Sequence, residues 1–301
     1  MHGILLIDKP AGLTSHDVVR QVRRICRTKK VGHAGTLDPL ATGVLPVAVG
    51  DGTKILQFLL AEDKSYRATL RFGITTDTLD AEGQVQQQRP VPVDVLDRLE
   101  PACELFRGYI EQIPPMYSAL KKDGVPLYKL ARNGQTVERE ARQVRVDRLE
   151  IISQQLPDLT IEVDCSKGTY IRTLAADIGE ELGCGAHLTA LRRLRCGRFS
   201  IADCVTLDEL SQRTADGIEL IGLDQALCDY PAVQALGNAA VALTCGVPPA
   251  ETQVSTEKEL VAGELVRLQI DGILAAVARY APLRTEEKRG DFELVRVFVA
   301  Q

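Results

Sequence analysis

The motif GHAGTLDPLATG occupies residues 32–43 and is the most informative part of the chain. Residues 31–43 show neither the alternation of a strand nor the period of a helix, so they predict a long ordered loop. Three glycines free the backbone around His33 and Asp38. Pro39 disfavours the α region for the residue before it, so the Asp38 carboxylate is expected on extended backbone. Catalytic groups are common in such loops, although an Asp at this position also caps turns.

Regular elements are predicted on both sides of this loop. GILLID at 3–8 and VLPVAVG at 44–50 are apolar runs typical of buried strands, and residues 66–72 alternate as in a half-buried strand. Ser15 is predicted to cap the helix that follows it. Further helices are predicted at 93–106, 126–133 and 169–182, and further strands at 144–152 and 159–165. Strand runs and separate helices favour an α+β fold.

A smaller, mainly β domain is predicted at the C-terminal end. Strand-like segments begin near 225–232, among them LVRLQI, GILAAVARY and ELVRVFVAQ, which divides the chain into 1–228 and 229–301. The net charge of −5 argues weakly against a nucleic-acid partner. However, residues 1–200 carry 28 Lys and Arg against 25 Asp and Glu, whereas 201–301 carry 8 against 16. The acidity is therefore concentrated in the C-terminal third.

A dense group of basic residues precedes the loop. Its members lie largely off the apolar stripe of the predicted helix and in the turn after it: Arg20, Arg23, Arg24, Arg27, Lys29 and Lys30. Such a cluster is typical of a phosphate-binding surface, but a solvated helix face has the same pattern. The residues alone leave both interpretations open.

Several classes of protein are excluded by the motifs that are missing. The eight cysteines form no Cys-x-x-Cys pair, so reduced and mostly buried thiols are expected. Cys184 and His187 offer two metal ligands, but no second pair has finger-like spacing, so no metal is expected. GDGTK at 50–54 is too short for a phosphate loop, and no cofactor is expected. The N-terminal apolar run is too short for a signal or a membrane span, which predicts a cytoplasmic protein.

The motif GHAGTLDPLATG, with DKPAGLTSHDVV before it and SYRATLRFG after it, resembles the signature of the TruB family of pseudouridine synthases. Further similar segments are TDTLDAEG, RGYIEQIPPMYSALK, LYKLARNGQ and CSKGTYIRTLAADIGEELGCGAHLTALRR. The resemblance covers roughly residues 3–210. It implies a pseudouridine synthase fold in 1–228, with a mixed, largely antiparallel central sheet and flanking helices. It also implies a PUA-like RNA-binding domain in 229–301.

The resemblance implies a cofactor-free isomerase that converts the uridine at position 55, in the T-loop of tRNA, into pseudouridine. The base must first be flipped out of its stack. The expected partner is the T-arm stem-loop of tRNA, with no obligatory protein partner and a monomeric enzyme. A guide-RNA-dependent pseudouridine synthase and a non-catalytic RNA chaperone are the alternatives, and a chaperone activity is compatible with catalysis.

The resemblance also implies three catalytic residues. Asp38 is the implied nucleophile, and attack on the sugar, attack on the base and elimination to a glycal remain open as routes. Arg172 is implied to orient this carboxylate. Tyr66 is implied to stack on the uracil and to support proton removal from its carbon five. By position alone, Arg172 is equally compatible with a surface cation at a helix start, and Tyr66 with a core residue.

Five further residues are expected to bind the substrate. His33 is implied to occupy the space that the flipped uridine leaves. Asp80 resembles a family residue of the active-site network, and Tyr170 and Leu191 resemble residues that line the uracil pocket. Lys9 is expected to bind phosphate, beside the basic cluster.

Overall fold

The computed structural model describes residues 1–213, 217–282 and 290–298, so the last three residues of the predicted strand ELVRVFVAQ lie outside the described residues. The chain forms two compact units. One consists of Leu6–Val47 and Leu59–Ile218, and the other of Met1–Leu5, Ala48–Phe58 and the described part of Glu219–Gln301. The C-terminal segment of the second unit thus begins at Glu219, before the predicted boundary at 228/229, and the unit also includes two segments from the N-terminal part of the chain. The functional division into 1–228 and 229–301 stays a prediction.

Strands and helices occur throughout the chain, as an α+β fold requires. The strands are β1 (Gly3–Lys9), β2 (Val31–His33), β3 (Thr42–Val49), β4 (Lys64–Phe72), β5 (Ile74–Thr76), β6 (Val85–Gln88), β7 (Gly108–Gln112), β8 (Lys121–Lys122), β9 (Val125–Pro126), β10 (Arg142–Gln155), β11 (Asp158–Cys165), β12 (Ala186–Cys196), β13 (Phe199–Ser200), β14 (Ala232–Ala235), β15 (Val254–Thr256), β16 (Leu265–Ile270), β17 (Ile273–Tyr280) and β18 (Phe292–Val297). The α-helices are α1 (Ser15–Ile25), α2 (Leu56–Leu60), α3 (Val95–Glu104), α4 (Leu127–Arg132), α5 (Ile171–Glu181), α6 (Leu207–Gln212), α7 (Leu223–Ala226) and α8 (Gly237–Thr244). The predicted α+β class is confirmed.

A central sheet carries the strands in the order β1-β3-β12-β4-β11-β10-β7, with β2 paired to β3 and β13 paired to β12. The pairs β12 with β4, β4 with β11, β11 with β10 and β10 with β7 are antiparallel. The pair β3 with β12 is parallel. The sheet is therefore mixed and largely antiparallel, as the resemblance implies.

Strand β4 has one buried and one polar face, as its alternation predicts. The buried side chains are Tyr66, Ala68, Leu70 and Phe72. On the other face Arg67 pairs with Glu162 and Arg71 with Asp158 of β11, each at 2.7 Å. The buried face belongs to an apolar cluster with residues of α3 and α5, and this cluster also contains residues of the loop before β3. The core thus packs the Asp38 loop against the sheet.

Helix α1 begins at Ser15, one residue earlier than a cap at Ser15 predicts. Its N-cap is Thr14, whose hydroxyl accepts from the Asp17 N–H at 3.1 Å while the Asp17 carboxylate accepts from the Thr14 N–H at 2.9 Å. This reciprocal pair is a capping box, and it leaves Ser15 without a capping role. The expectation that Ser15 caps the helix is therefore wrong, because the adjacent threonine occupies that position.

The predicted loop 31–43 is shorter in the structure. Val31–His33 form β2, which pairs with β3, and β3 begins at Thr42. Only residues 34–41 remain without regular structure. A strand of three residues has too little alternation to be seen in the sequence.

The second unit contains its own sheet, in the order β15-β14-β16-β17-β18. Its core includes Val233, Leu268, Ala276 and Phe292. The predicted strands LVRLQI and GILAAVARY are confirmed as β16 and β17. Among the described helices, none is both long and apolar enough to cross a membrane.

Candidate active site

The loop that carries Asp38 is held from helix α1. The Ser15 hydroxyl accepts from the Leu37 N–H at 2.8 Å and donates to the Leu37 carbonyl at 3.1 Å, and both residues are buried. One hydroxyl thus satisfies both backbone groups of the residue next to Asp38. On the other side, the Ala41 N–H donates to the Asp38 carbonyl at 3.0 Å. The backbone around Asp38 is therefore fixed from within the protein.

Lys9 is not on the surface, where a contact with an RNA phosphate would require it. Its side chain is fully buried, and Nζ donates to the carbonyls of Pro10 at 2.8 Å and Pro39 at 3.3 Å. Burial lowers the pKa of Lys9 to about 8, although the negative charge of Asp38 opposes this shift. An enclosed ammonium group cannot contact an RNA phosphate. The predicted phosphate contact is corrected to an internal one, in which Lys9 supports the Asp38 loop.

Arg172 is buried at the start of α5 and bridges two acids. Its Nε lies 3.0 Å from Oδ2 of Asp38, and its Nη1 lies 3.3 Å from Oδ2 of Asp80. The guanidinium also donates to the carbonyls of Thr78 at 3.0 Å and Tyr117 at 2.6 Å. The side chains of Arg172 and Asp80 are 6% and 4% exposed, whereas that of Asp38 is 35% exposed. Asp38 is therefore the member of this network that a substrate can reach.

The charges around Asp38 act in opposite directions on its carboxyl group. Burial raises the pKa of Asp38, Arg172 lowers it, Asp80 raises it and Lys9 lowers it, and the net direction is upward. A carboxylate with a raised pKa is a better nucleophile and base than an exposed one. The guanidinium at 3.0 Å still favours the ionised form. This combination suits a group that must attack or accept a proton.

Asp80 is fixed on its other side as well. Its Oδ1 accepts from the Thr78 hydroxyl at 2.6 Å and from the Glu82 N–H at 3.1 Å, which leaves Oδ2 for Arg172. Its backbone forms a bridge to Leu188 of β12. These contacts fix Asp80 in a position from which it holds the guanidinium of Arg172. Its place in an active-site network stays a prediction.

Tyr66 lies in the apolar cluster that also contains Leu37 and Ala41 of the loop. Arg193 lies opposite it in β12. Burial raises the pKa of Tyr66 to about 12, and the charge of Arg193 opposes this. Within the described residues no hydrogen bond joins Tyr66 to Asp38. Tyr66 therefore shares an apolar wall with the Asp38 loop.

The remaining predicted residues lie around this network. Tyr170 is half-buried at the N-terminus of α5. Burial raises the pKa of Tyr170, the charges of Arg142 and Arg172 lower it, and the charge of Asp38 raises it. Leu191 packs at the edge of the apolar cluster. His33 ends β2, and its buried Nδ1 has no hydrogen-bond partner among the residues described. Burial lowers the pKa of His33, which favours a neutral ring.

Two buried polar residues that the sequence analysis did not single out support the site. Arg193 is 1% exposed, and it donates from Nε to the Val44 carbonyl at 2.7 Å and from Nη2 to the Gly35 carbonyl at 3.3 Å. Gln112, also 1% exposed, pairs with the backbone of Tyr170. In the sequence, Arg193 and Gln112 can be recognised only as polar residues at inward-facing strand positions. That requires the buried face of each strand to be known first.

Comparison with known proteins identifies the family. The model of the TruB family pseudouridylate synthase N-terminal domain matches residues 23–171, and that of the tRNA pseudouridylate synthase B C-terminal domain matches 172–228. A protein named tRNA pseudouridine synthase B from Syntrophotalea carbinolica is 48% identical over 301 residues, covering 99% of this chain and 98% of the relative. The chain belongs to the TruB family. A relative of the same name from Geobacter sulfurreducens is 46% identical, covering 99% of this chain and 100% of the relative.

Solved structures support the same fold for this TruB family member. One is an H/ACA RNP bound to a substrate RNA containing 2'-deoxyuridine, with a TM-score of 0.75 and 28% identity over 99% of this chain and 85% of that one. A Cbf5-Nop10-Gar1 complex has a TM-score of 0.74 and 28% identity, over 98% and 84%. The predicted pseudouridine synthase fold is confirmed, and the chain is a pseudouridine synthase.

Cys184 and His187 are both buried in this TruB chain. Nδ1 of His187 lies 2.9 Å from the Ile74 carbonyl. Within residues 1–213, 217–282 and 290–298, no three His, Cys, Asp or Glu side chains are grouped to hold a metal ion.

Proposed function

We propose that the enzyme converts the uridine at position 55, in the T-loop of tRNA, into pseudouridine, with Asp38 as the residue that acts on the nucleotide. The observation that carries this proposal is the pair formed by Asp38 and Arg172, in which a partly open carboxylate is held by a buried guanidinium at 3.0 Å. Relatives that share 46–48% of the sequence over nearly their whole length are named tRNA pseudouridine synthase B. Their name supplies the substrate class.

The reaction is an isomerisation that these residues can support without a redox step. The bond from the sugar to N1 of uracil breaks, the base turns, a bond forms from the sugar to C5, and the proton on C5 leaves while N1 gains one. An ionised Asp38 can attack the sugar or the base, or can take a sugar proton toward a glycal. Tyr66 is proposed to stack on the uracil and to assist removal of the C5 proton. Substrate and product have the same composition, so the reaction consumes no oxidant, reductant or co-substrate.

Recognition of the T-arm is proposed to involve a basic surface and base flipping. In the basic cluster, Arg20 pairs with Asp17 and Arg23 donates to the Val31 carbonyl. The exposed members of the cluster are Arg20, Arg24, Arg27, Lys29 and Lys30. These exposed cations can neutralise phosphates of the stem. His33 is proposed to fill the space of the flipped uridine, and Tyr170 and Leu191 to line the uracil pocket.

A stand-alone enzyme is favoured over a guided one. The relatives named tRNA pseudouridine synthase B are 46–48% identical over nearly the whole chain, whereas the similar chains in H/ACA particles are 28% identical. A tRNA chaperone activity is compatible with the proposal, because the T-arm must open before its uridine can be flipped. The monomeric state, the cytoplasmic location and the PUA-like, RNA-binding character of 229–301 remain predictions.

The test uses purified protein, an unmodified tRNA transcript and the isolated T-arm stem-loop, with no cofactor and no other protein. Pseudouridine is then mapped along each RNA. We expect modification at position 55 of both RNAs, and none in a control transcript with cytidine at that position. A protein that binds the transcript but modifies neither RNA would contradict the proposal, and modification only after a guide RNA is added would establish the guided alternative.

A further inference from the structure

Gln112 makes an unusual pair of contacts with the start of helix α5. It is the last residue of β7, and its side chain is 1% exposed. Its Nε2 donates to the Tyr170 carbonyl at 3.1 Å, and its Oε1 accepts from the Tyr170 N–H at 2.9 Å. One amide side chain therefore satisfies both backbone groups of one residue, as a neighbouring strand would.

The residue that Gln112 holds determines where α5 begins. Tyr170 is the N-cap of α5, has extended backbone angles, and provides no side-chain cap. Its carbonyl also accepts the helical bond from the Leu174 N–H at 3.0 Å. An N-cap without its own side-chain partner depends on outside groups to fix its orientation. Arg172 follows two residues later, so its position depends on this peptide.

The chain after Gln112 contacts the same turn of α5. The Tyr117 carbonyl accepts from Nη2 of Arg172 at 2.6 Å, and the Ile113 carbonyl lies 3.5 Å from the Thr173 hydroxyl. Both are contacts to backbone carbonyls of the segment that begins at Gln112. Several contacts thus join the end of β7 to the start of α5. Among them, the contact between Gln112 and Tyr170 consists of two hydrogen bonds.

We propose that Gln112 is a positioning residue, whose side-chain amide holds the Tyr170 peptide and thereby aligns Arg172 with Asp38. This inference rests on the proposed function, in which Asp38 acts on the nucleotide. Gln112 does not touch the reacting atoms itself. Misplacement of a catalytic group by about 1 Å costs on the order of 100-fold in rate, so a fixed helix start matters for the reaction.

The Gln112→Glu variant gives this proposal a pH-dependent readout. A protonated glutamic acid has almost the shape of glutamine, and its hydroxyl can donate to the Tyr170 carbonyl while its carbonyl accepts from the Tyr170 N–H. The carboxylate form can only accept. Burial raises the pKa of a carboxyl group at this position, whereas Arg142, opposite Gln112 in β10, lowers it. Arg172 and Asp38 lie beyond Tyr170, and because their charges have opposite signs they act on this pKa in opposite directions.

The experiment compares single-turnover rates on tRNA for wild type, Gln112→Glu and Gln112→Leu between pH 6 and pH 8. At pH 8 we expect both variants to be slower than wild type by about 10- to 100-fold, with tRNA affinity unchanged within about twofold. As the pH falls, the rate of Gln112→Glu relative to wild type should rise, because its carboxyl group takes up a proton. The relative rate of Gln112→Leu should stay constant.

The outcomes separate this inference from the proposed function. Thermal unfolding first shows that each variant is folded. A wild type that binds tRNA but forms no pseudouridine contradicts the proposed function. If the wild type is active, two results would overturn the positioning role of Gln112. One is an equal, pH-independent loss of single-turnover rate in both folded variants, and the other is a wild-type rate in both.

Discussion

Nε of Arg172 lies 3.0 Å from Oδ2 of Asp38, and the arginine is almost fully buried while the aspartate is partly open. The cation cannot leave its position without breaking further bonds to Asp80, Thr78 and Tyr117. The carboxylate has fewer constraints, and its side chain is 35% exposed. This asymmetry makes Arg172 the fixed partner and supports the proposal that Asp38 is the reactive one.

Replacement of Arg172 by methionine should slow the reaction and move its pH dependence. We expect a loss of about 100- to 1,000-fold in single-turnover rate, since a buried charged donor is removed. The charge of Arg172 lowers the pKa of Asp38, so its removal raises that pKa further. The acid limb of the pH–rate profile should therefore shift to higher pH, which single-turnover rates from about pH 5 to pH 8 would measure.

A matched control for this variant is Arg71→Met. Arg71 also forms an ion pair with an aspartate, Asp158, at 2.7 Å, but the pair lies on the polar face of the sheet. Exposed pairs contribute only about 0–1 kcal/mol, so this variant should keep both rate and pH profile. An acid limb that stays in place in Arg172→Met, or moves to lower pH, would contradict the electrostatic account of Asp38.

Ser15 and Thr14 are adjacent, but they should differ in their effect on catalysis. Ser15→Ala leaves the buried Leu37 N–H without its acceptor, at a cost of about 1–3 kcal/mol in unfolding free energy. Thr14→Ala removes the cap of α1 and costs about 0.5–2 kcal/mol. Only Ser15→Ala should lower the single-turnover rate, because only it releases the Asp38 loop. Urea unfolding and rate measurements on both variants test this, and equal rates would show that the Ser15 contact serves stability alone.

Lys9→Met should change how stability depends on pH. The pKa of Lys9 is lowered from 10.5 to about 8 in the folded protein. Between these values the unfolded chain binds more protons than the folded one, so this lysine makes the unfolding free energy rise with pH. The stability difference, wild type minus Lys9→Met, should therefore grow from about pH 8 to pH 10. Urea unfolding over this range tests it, and a constant or shrinking difference would contradict the burial of Lys9.

Gly43 and Gly183 both have positive φ, but they differ in the space around them. A Cβ on Gly43 would lie 2.2 Å from the Arg193 carbonyl oxygen, whereas a Cβ on Gly183 would meet nothing within 4 Å. Gly183→Ala should cost about 1–3 kcal/mol of backbone strain. Gly43→Ala carries the same strain plus a clash between β3 and β12, so it should be clearly less stable in thermal unfolding. Equal losses would argue against this close strand contact.

Much of the fold was predictable because it is encoded locally. The alternation of β4 indicates its buried face, and the capping pattern of α1 needed only a shift by one residue, from Ser15 to Thr14. The motif around Asp38 and the segment around Arg172 pointed to one family through their sequence alone. The structure then brings these two residues together, 134 positions apart along the chain.

The supporting residues were not predictable, because their partners are distant in sequence. Lys9 contacts the carbonyl of Pro39, and Arg193 donates to the carbonyl of Gly35. Backbone carbonyls leave no trace in the sequence, so a buried lysine looks like an exposed one. The same holds for Gln112, whose partner is the backbone of Tyr170.

The most direct test of the account is the Asp38→Asn variant, measured for both pseudouridine formation and tRNA binding. Asparagine keeps the shape of the side chain but cannot attack or accept a proton as a carboxylate does. Asp158→Asn, which changes an acid on the polar face of the sheet, serves as the control. We predict no detectable pseudouridine with Asp38→Asn, a dissociation constant for tRNA within about threefold of wild type, and full activity with the control. Pseudouridine formation by Asp38→Asn at a rate close to wild type, or a loss of binding as large as the loss of activity, would contradict the account.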